Sequence, residues 1–325
     1  LDISRFAIGI SELRIQWCIA WLREKVCEWR VRLGELREGL GRLQFVAGPL
    51  EHVRPFLGPL YAWSCAGPRH AKPRMPVMIL LILEFLAGEL KRKRMSRCAS
   101  RTRNLGELFR LDAKAEGEEV AIGGWRCRGT SKTSEAAWFS VRLNRRNAPW
   151  AFARGEAFRT IASLELLGVL VSVMVLMPPE GEAAFESLGS ITLTCGTDSQ
   201  GNSFLLDKLL TTKNPLGVVL MERAVQLGRR NATLRADWLP RLQNEEADAL
   251  TNSDFRHFDM SKRIDVDLDS LGFVLMNELF ATGDAYVAEL ADLKAAEKAR
   301  KASDLYRPPP KRKKGEALRE SAPWV

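Results

Sequence analysis

The chain has 325 residues, room for one large domain or two modest ones. Its 46% of hydrophobic residues argues against wholesale disorder. A net charge of +9 favours a polyanionic partner, without separating nucleic acid from an anionic membrane. The first hundred residues read helical. Apolar residues recur at helical spacing over 10–33 and 35–45, among Arg and Glu. Residues 40–63 are broken by Gly48-Pro49, Pro55 and Gly58-Pro59. A further helix is expected from Pro76 to about Leu90, ending in a basic cluster.

The pattern then changes to short strands at 105–113, 120–127 and 137–143, rich in apolar and β-branched residues. A long apolar helix is expected at 156–177, stopped by Pro178-Pro179. A strand follows at 190–197, then helices near 203–210 and 216–229, and a strand at 233–239. Asn244 is placed to cap a short helix that contains Asp248. Three adjacent strands followed by alternating helix and strand predict an α/β fold, a mixed sheet with helices on its faces. Beyond His257 amphipathic helix is expected, with an Ala/Glu/Lys-rich stretch at 284–303, and the Pro-rich basic tail is read as disordered. The domain reading is a helical segment at 1–103, an α/β domain at 104–258, a helical extension at 259–304 and a tail at 305–325.

Two apolar runs, 77–90 and 161–177, are below the usual spanning length and carry Glu84 and Glu165, so both are read as buried helices and no membrane is expected. The six cysteines are scattered without a C-x-x-C pair and are read as reduced, mostly buried thiols of an intracellular protein. The three histidines lie far apart, so no zinc site is expected. No secretory signal is visible, and a start at Leu1 leads to the expectation of a fragment of a longer reading frame.

Four acids stand apart from the other Asp and Glu. Asp112 follows "ELFRL" inside the first strand. Glu165 sits in a nearly all-apolar helix, where a buried carboxylate needs a partner or a metal. Asp198 ends an apolar strand, and such ends face the ligand crevice of open α/β sheets. Asp248 falls in the first turns of a helix, where the dipole favours negative charge. Each has a bland reading as a solvated acid. Together they suit divalent cations, which prefer oxygen ligands.

On these residues the region resembles the ribonuclease H domain of retroelement reverse transcriptases. The family carries Asp on its first strand, Glu on its first helix, Asp at the end of its fourth strand and Asp on its final helix, matching Asp112, Glu165, Asp198 and Asp248. The runs "NEEADAL", "WLPRLQN" and "DAKAEGEEVAIGGW" resemble the family's last motif, the approach to it and the first hairpin. Upstream, "LGRLQFVAGPLEHVRPFLGPLYAW" resembles the thumb and connection segment of reverse transcriptases from tyrosine-recombinase-type retroelements. The resemblance implies a ribonuclease H-like mixed five-stranded sheet, preceded by a helical thumb/connection segment and followed by a helical extension. It implies two Mg²⁺ ions on the four acids, with Mn²⁺ as a substitute, and cleavage of RNA in RNA–DNA hybrids. The implied partners are the hybrid and a polymerase palm and fingers from upstream in a longer reading frame. An inactive nucleic-acid-binding remnant of a retroelement polyprotein is the alternative, and a transposase- or resolvase-like nuclease is a second rival. The chain has no Asp-Asp dipeptide, hence no Tyr-x-Asp-Asp loop, and the loop 240–243 lacks the His that some members place before the last acid.

The basic residues Lys91, Arg92, Lys93, Arg94, Arg97, Arg101 and Arg103 read either as a solvated helix end or as phosphate contacts, joined by Arg241 and by Arg229, Arg230 and Arg235. Trp125, Trp138, Trp150 and Trp238 are expected in the core rather than as stacking platforms. The tail cluster Lys311–Lys314 is weighed evenly between a nuclear localisation signal and a plain basic tail. "DVDLD" at 265–269 is not a calcium loop, because Ser270 stands where Gly is needed and no Glu closes it.

Overall fold

The computed structural model describes residues 7–92, 95–97, 103–130, 132–153, 155–177, 191–230 and 232–303. Lys93, Arg94, Cys98, Arg101, Pro178-Pro179 and the tail from 304, with Lys311–Lys314, lie outside the described residues. The chain divides into two compact units, one built from Leu1–Ser96 with Thr282–Val325, the other from Arg97–Ala281.

The first unit contains helices α1 (Glu12–Glu28), α2 (Leu33–Val46), α3 (Leu57–Ser64) and α4 (Val77–Arg92), and a short strand β1 (Ala7–Gly9). The expected helix over 10–33 stops earlier, because Trp29 turns left-handed at φ 56° and the next residue bridges to Arg74. Its core is mostly aliphatic: Leu22, Leu36, Leu40, Leu43, Leu60, Leu83 and Leu86 are sealed from solvent, together with Phe56 and Trp63. Lys25 is buried too, and is stable there because its ammonium meets Glu24, Glu28 and Glu35. Tyr286 donates to the Pro59 carbonyl at 3.0 Å.

The second unit is built on one sheet. After β2 (Met95–Arg97), which pairs with β1 in a separate two-stranded sheet, come β3 (Arg103–Glu116), β4 (Glu119–Arg126) and β5 (Trp138–Leu143), then β6 (Ile191–Thr197) and β7 (Ala232–Trp238). The five longer strands run in the order β5-β4-β3-β6-β7. The first three are antiparallel, and β6 and β7 join parallel to β3. Gly117 at φ 58° makes the two-residue hairpin turn that extends β3 and β4 beyond their expected ends.

Helices cover both faces. A turn at Pro149–Phe152 (α5) precedes the core helix α6 (Ile161–Val175), followed by α7 (Gln200–Lys208), α8 (Leu216–Arg229) and α9 (Glu245–Thr251). Gly168 of α6 sits over Leu111 and Ile122, while Leu250 of α9 sits over Gly123. Side chains alternate across a strand, so α6 and α9 lie on opposite faces. This is the expected α/β architecture, a mixed five-stranded sheet flanked by helices. Among the described residues, 157–175 is the one helical stretch long and apolar enough to cross a bilayer; here 61% of its most apolar window is buried within the protein.

Two further expectations change. Helix does not resume at His257 but at α10 (Met276–Ala302). The intervening residues instead close the open edge of β5: Arg263 bridges to Trp138, the Ile264 N–H donates to the Trp138 carbonyl at 2.7 Å, and Phe255 and Phe258 pack on the Trp138 ring. The start of α10 is fixed by Glu222, fully buried on α8, whose carboxylate accepts from the N–H groups of Val274, Leu275 and Met276. The cysteines also differ. Cys18, Cys27, Cys65, Cys127 and Cys195 are free thiols, but only Cys18 and Cys195 are fully buried.

Candidate active site

Asp112 and Asp198 come together through strand register. Arg110 pairs with Gly196 across the parallel ladder of β3 and β6, so Asp112, two residues on, comes level with Asp198 at the carboxyl end of β6. The antiparallel partner of Asp112 is Gly123. A Cβ there would stand 2.7 Å from Leu250 Cβ, so only glycine lets α9 settle this low on the sheet. At that depth Thr251 Oγ1 donates to Asp112 Oδ2 at 3.0 Å, and Asp248 lies one helical turn earlier.

Glu165 arrives from the other face. Gly168, one turn along α6, approaches Leu111 Cδ1 at 3.2 Å from its would-be Cβ, holding the helix close to β3. The buried Asn202 of α7 donates to Glu165 Oε2 and to the Ala162 carbonyl, both at 3.0 Å. Ser199 hydrogen-bonds the same carboxylate.

The four acids form one electrostatic group. Burial, then repulsion from Asp198, pushes the Asp112 carboxyl up to about 6, against the stabilising bond from Thr251; Asp248 adds to the repulsion. Burial also pushes Glu165 up to about 7; Ser199 and Asn202 pull it down, and Asp198 and Asp112 raise it further. Asp248 is tied differently. Arg241 donates to its Oδ1 at 3.0 Å and Asn252 to its Oδ2 at 2.9 Å.

Clustered carboxylates that repel one another suit a hard divalent cation in donor type and charge. Among the described residues, no three His, Cys, Asp or Glu side chains stand close enough to hold an ion as they are placed. The donor chemistry therefore fits such an ion, while the arrangement is not closed around one.

The helix start at Asn244 corrects an expectation. Its carbonyl accepts the N–H groups of Ala247 and Asp248, but its amide makes no cap; Nδ2 instead donates to the Leu111 carbonyl at 2.9 Å. The side chain spends its donor on tying α9 to the strand that carries Asp112. Trp125 and Trp138 are buried, but Trp238 is 52% exposed, because it ends β7 and hydrogen-bonds the Asp198 carbonyl from outside.

Of the expected basic residues, the structure brings Arg241 to the acids. Lys91 and Arg92 end α4 in the other unit, and Arg92 is paired with Glu89 at 2.6 Å. Arg97 ends β2 and Arg103 begins β3. Arg230 is turned onto Gln226, whereas Arg229 and Arg235 are exposed.

Thr251, Asn252, Ser199 and Asn202 were missed from the sequence as site residues. Two signals were available: Thr251 and Asn252 stand three and four places after Asp248, on its helix face, and Ser199 and Asn202 lie in the "TDSQGN" run.

No protein-family model matches the chain, and no curated protein matches it. Among solved structures it is similar to ribonuclease H1 from the halophilic archaeon Halobacterium salinarum NRC-1, at 17% identity over 47% of this chain and 97% of that one, with a TM-score of 0.31, a likeness too slight to bear on function.

Proposed function

We propose that the chain is the ribonuclease H-bearing C-terminal part of a retroelement reverse transcriptase, an endonuclease that cuts the RNA strand of RNA–DNA hybrids. The observation that carries this reading is the joining of Asp112, Glu165, Asp198 and Asp248 into one electrostatic group, drawn from a strand, a helix, a strand end and the short helix α9. Asp112, Glu165, Asp198 and Asp248 would hold two Mg²⁺ ions, with Mn²⁺ as a substitute. Ions bound there supply an activated water and charge neutralisation at the leaving oxygen. Thr251 and Asn202 fix the carboxylates of Asp112 and Glu165 by hydrogen bonds. The exposed Trp238 face beside Asp198 offers a stacking surface to a base or sugar. Arg241, with Lys91, Arg92 and the other basic residues, would contact phosphates without reading sequence. Discrimination of hybrid from duplex DNA would rest on shape and 2′-OH contacts. Polymerisation would belong to a palm and fingers outside this chain, which carries no Asp-Asp pair.

A second reading is an inactive nucleic-acid-binding remnant. The engagement of both Asp248 oxygens by Arg241 and Asn252 favours it. Incubating the purified chain with hybrid, duplex DNA and branched DNA, each with Mg²⁺, Mn²⁺ or chelator, separates the readings. Cation-dependent cutting of hybrid RNA alone supports the nuclease. Binding without cutting supports the remnant, and cutting of branched DNA a transposase- or resolvase-like enzyme.

A further inference from the structure

Arg241 and Asp248 form an ion pair at the start of α9. Arg241 stands in the 3₁₀ turn Arg241–Gln243, directly before α9. Its guanidinium leaves the turn and meets Asp248 Oδ1 at 3.0 Å, while its side chain stays 79% exposed and that of Asp248 36% exposed. The same positive charge also acts on Asp112 and Asp198. Asn252 holds the other oxygen of Asp248 and gives a second bond to the Asp248 carbonyl. Both oxygens of Asp248 thus meet side-chain donors within hydrogen-bond distance. The first turn of its helix also carries Glu245 and Glu246, so the group is strongly negative and attracts any cation within reach.

We infer that Arg241 is a built-in counter-ion for Asp248, which a divalent cation must displace before it can engage that carboxylate. The inference rests on the proposed metal site. An exposed pair of this kind is weak and its arginine is free to rotate, so the contact is a reversible latch rather than a permanent block. Guanidinium and metal ion compete for Asp248, because two cations on one carboxylate repel each other and share its lone pairs. Once displaced, the guanidinium is available to a backbone phosphate, which it can meet in bidentate fashion. One residue would then couple cation entry to polyanion binding: each step frees a partner for the other.

The test is calorimetric titration of Mg²⁺ alone into the full chain, without nucleic acid, for wild type, Arg241→Gln, Arg241→Lys and Arg235→Gln. The latch predicts that Arg241→Gln tightens the Mg²⁺ affinity about two- to fivefold, the span of an exposed ion pair. Arg241→Lys should stay near wild type, and Arg235→Gln, which removes an exposed charge elsewhere on β7, should change little. Unchanged or weaker binding by Arg241→Gln, or an equal gain from Arg235→Gln, overturns the latch and leaves the metal site standing. If Asp198→Asn does not diminish the Mg²⁺ binding, or no binding is seen at all, the metal site itself fails and the latch falls with it.

Discussion

Gly123 faces Asp112 across the β3–β4 ladder, and Leu250 of α9 occupies the space that a side chain on Gly123 would need. The face of the sheet that carries Asp112 and the depth of α9 are therefore set at one cross-strand pair. Gly123→Ala should force α9 outward and cost about 1–3 kcal/mol, the usual range for overpacking. It should also lengthen the Thr251–Asp112 hydrogen bond. Urea denaturation checks the first expectation; wild-type stability would show that α9 is not seated as described.

Glu165 gives a pH-dependent expectation whose sign follows from its environment. Its folded carboxyl sits at about 7 against an ordinary 4.5, so between those values the folded chain holds a proton that the unfolded chain has lost. This contribution to stability is present below about pH 4.5 and is lost as pH rises through about 7. Asp112, raised to about 6, acts in the same direction. Glu165→Gln keeps the shape without the charge. In chelator its stability advantage over wild type should be near zero at pH 4 and grow toward pH 7.5. Mg²⁺ should shrink that advantage, because a bound cation supplies the missing positive charge. Denaturation curves at four pH values decide it; an advantage that is flat with pH, or negative, would make Glu165 a hydrogen-bonding residue of the core.

The basic residues of α4 give a salt-dependent expectation. Replacing Lys91 and Arg92 with Ala should weaken hybrid binding equally for all sequences. The slope of log affinity against log salt should shrink by nearly one for each phosphate that is no longer neutralised. Arg92 is already paired with Glu89, so Lys91 should account for the larger share. An unchanged slope assigns both to a solvated helix end.

Much of the second unit was legible because its signals are local. Helix α8 was read with its own limits, since Pro215 precedes it and apolar residues recur at helical spacing through Leu227. The strands were found within a few residues from their β-branched and apolar content. What was not legible depended on distant partners. Asn244 reads as a cap, yet its amide is claimed by the Leu111 carbonyl 133 residues away. Trp238 reads as core like Trp125 and Trp138, but it ends the strand at the edge of the sheet among the described residues. The residues beyond His257 read as amphipathic helix, whereas Phe258, with Phe255 just before it, covers Trp138. The Arg241–Asp248 pair spans seven residues and was open to inspection, but the bend that joins them is made by the 3₁₀ turn between.

The most direct measurement is cleavage of an RNA–DNA hybrid by wild type and Asp198→Asn, each confirmed folded, with hybrid affinity measured in parallel. Wild type should cut the RNA strand in a Mg²⁺-dependent way that chelator stops. Asp198→Asn should lose cutting by about two orders of magnitude or more while still binding hybrid, because the variant weakens the acidic group and spares the basic surface. Cutting at the wild-type rate by Asp198→Asn, or cutting that persists in chelator, would rule out the four-carboxylate site.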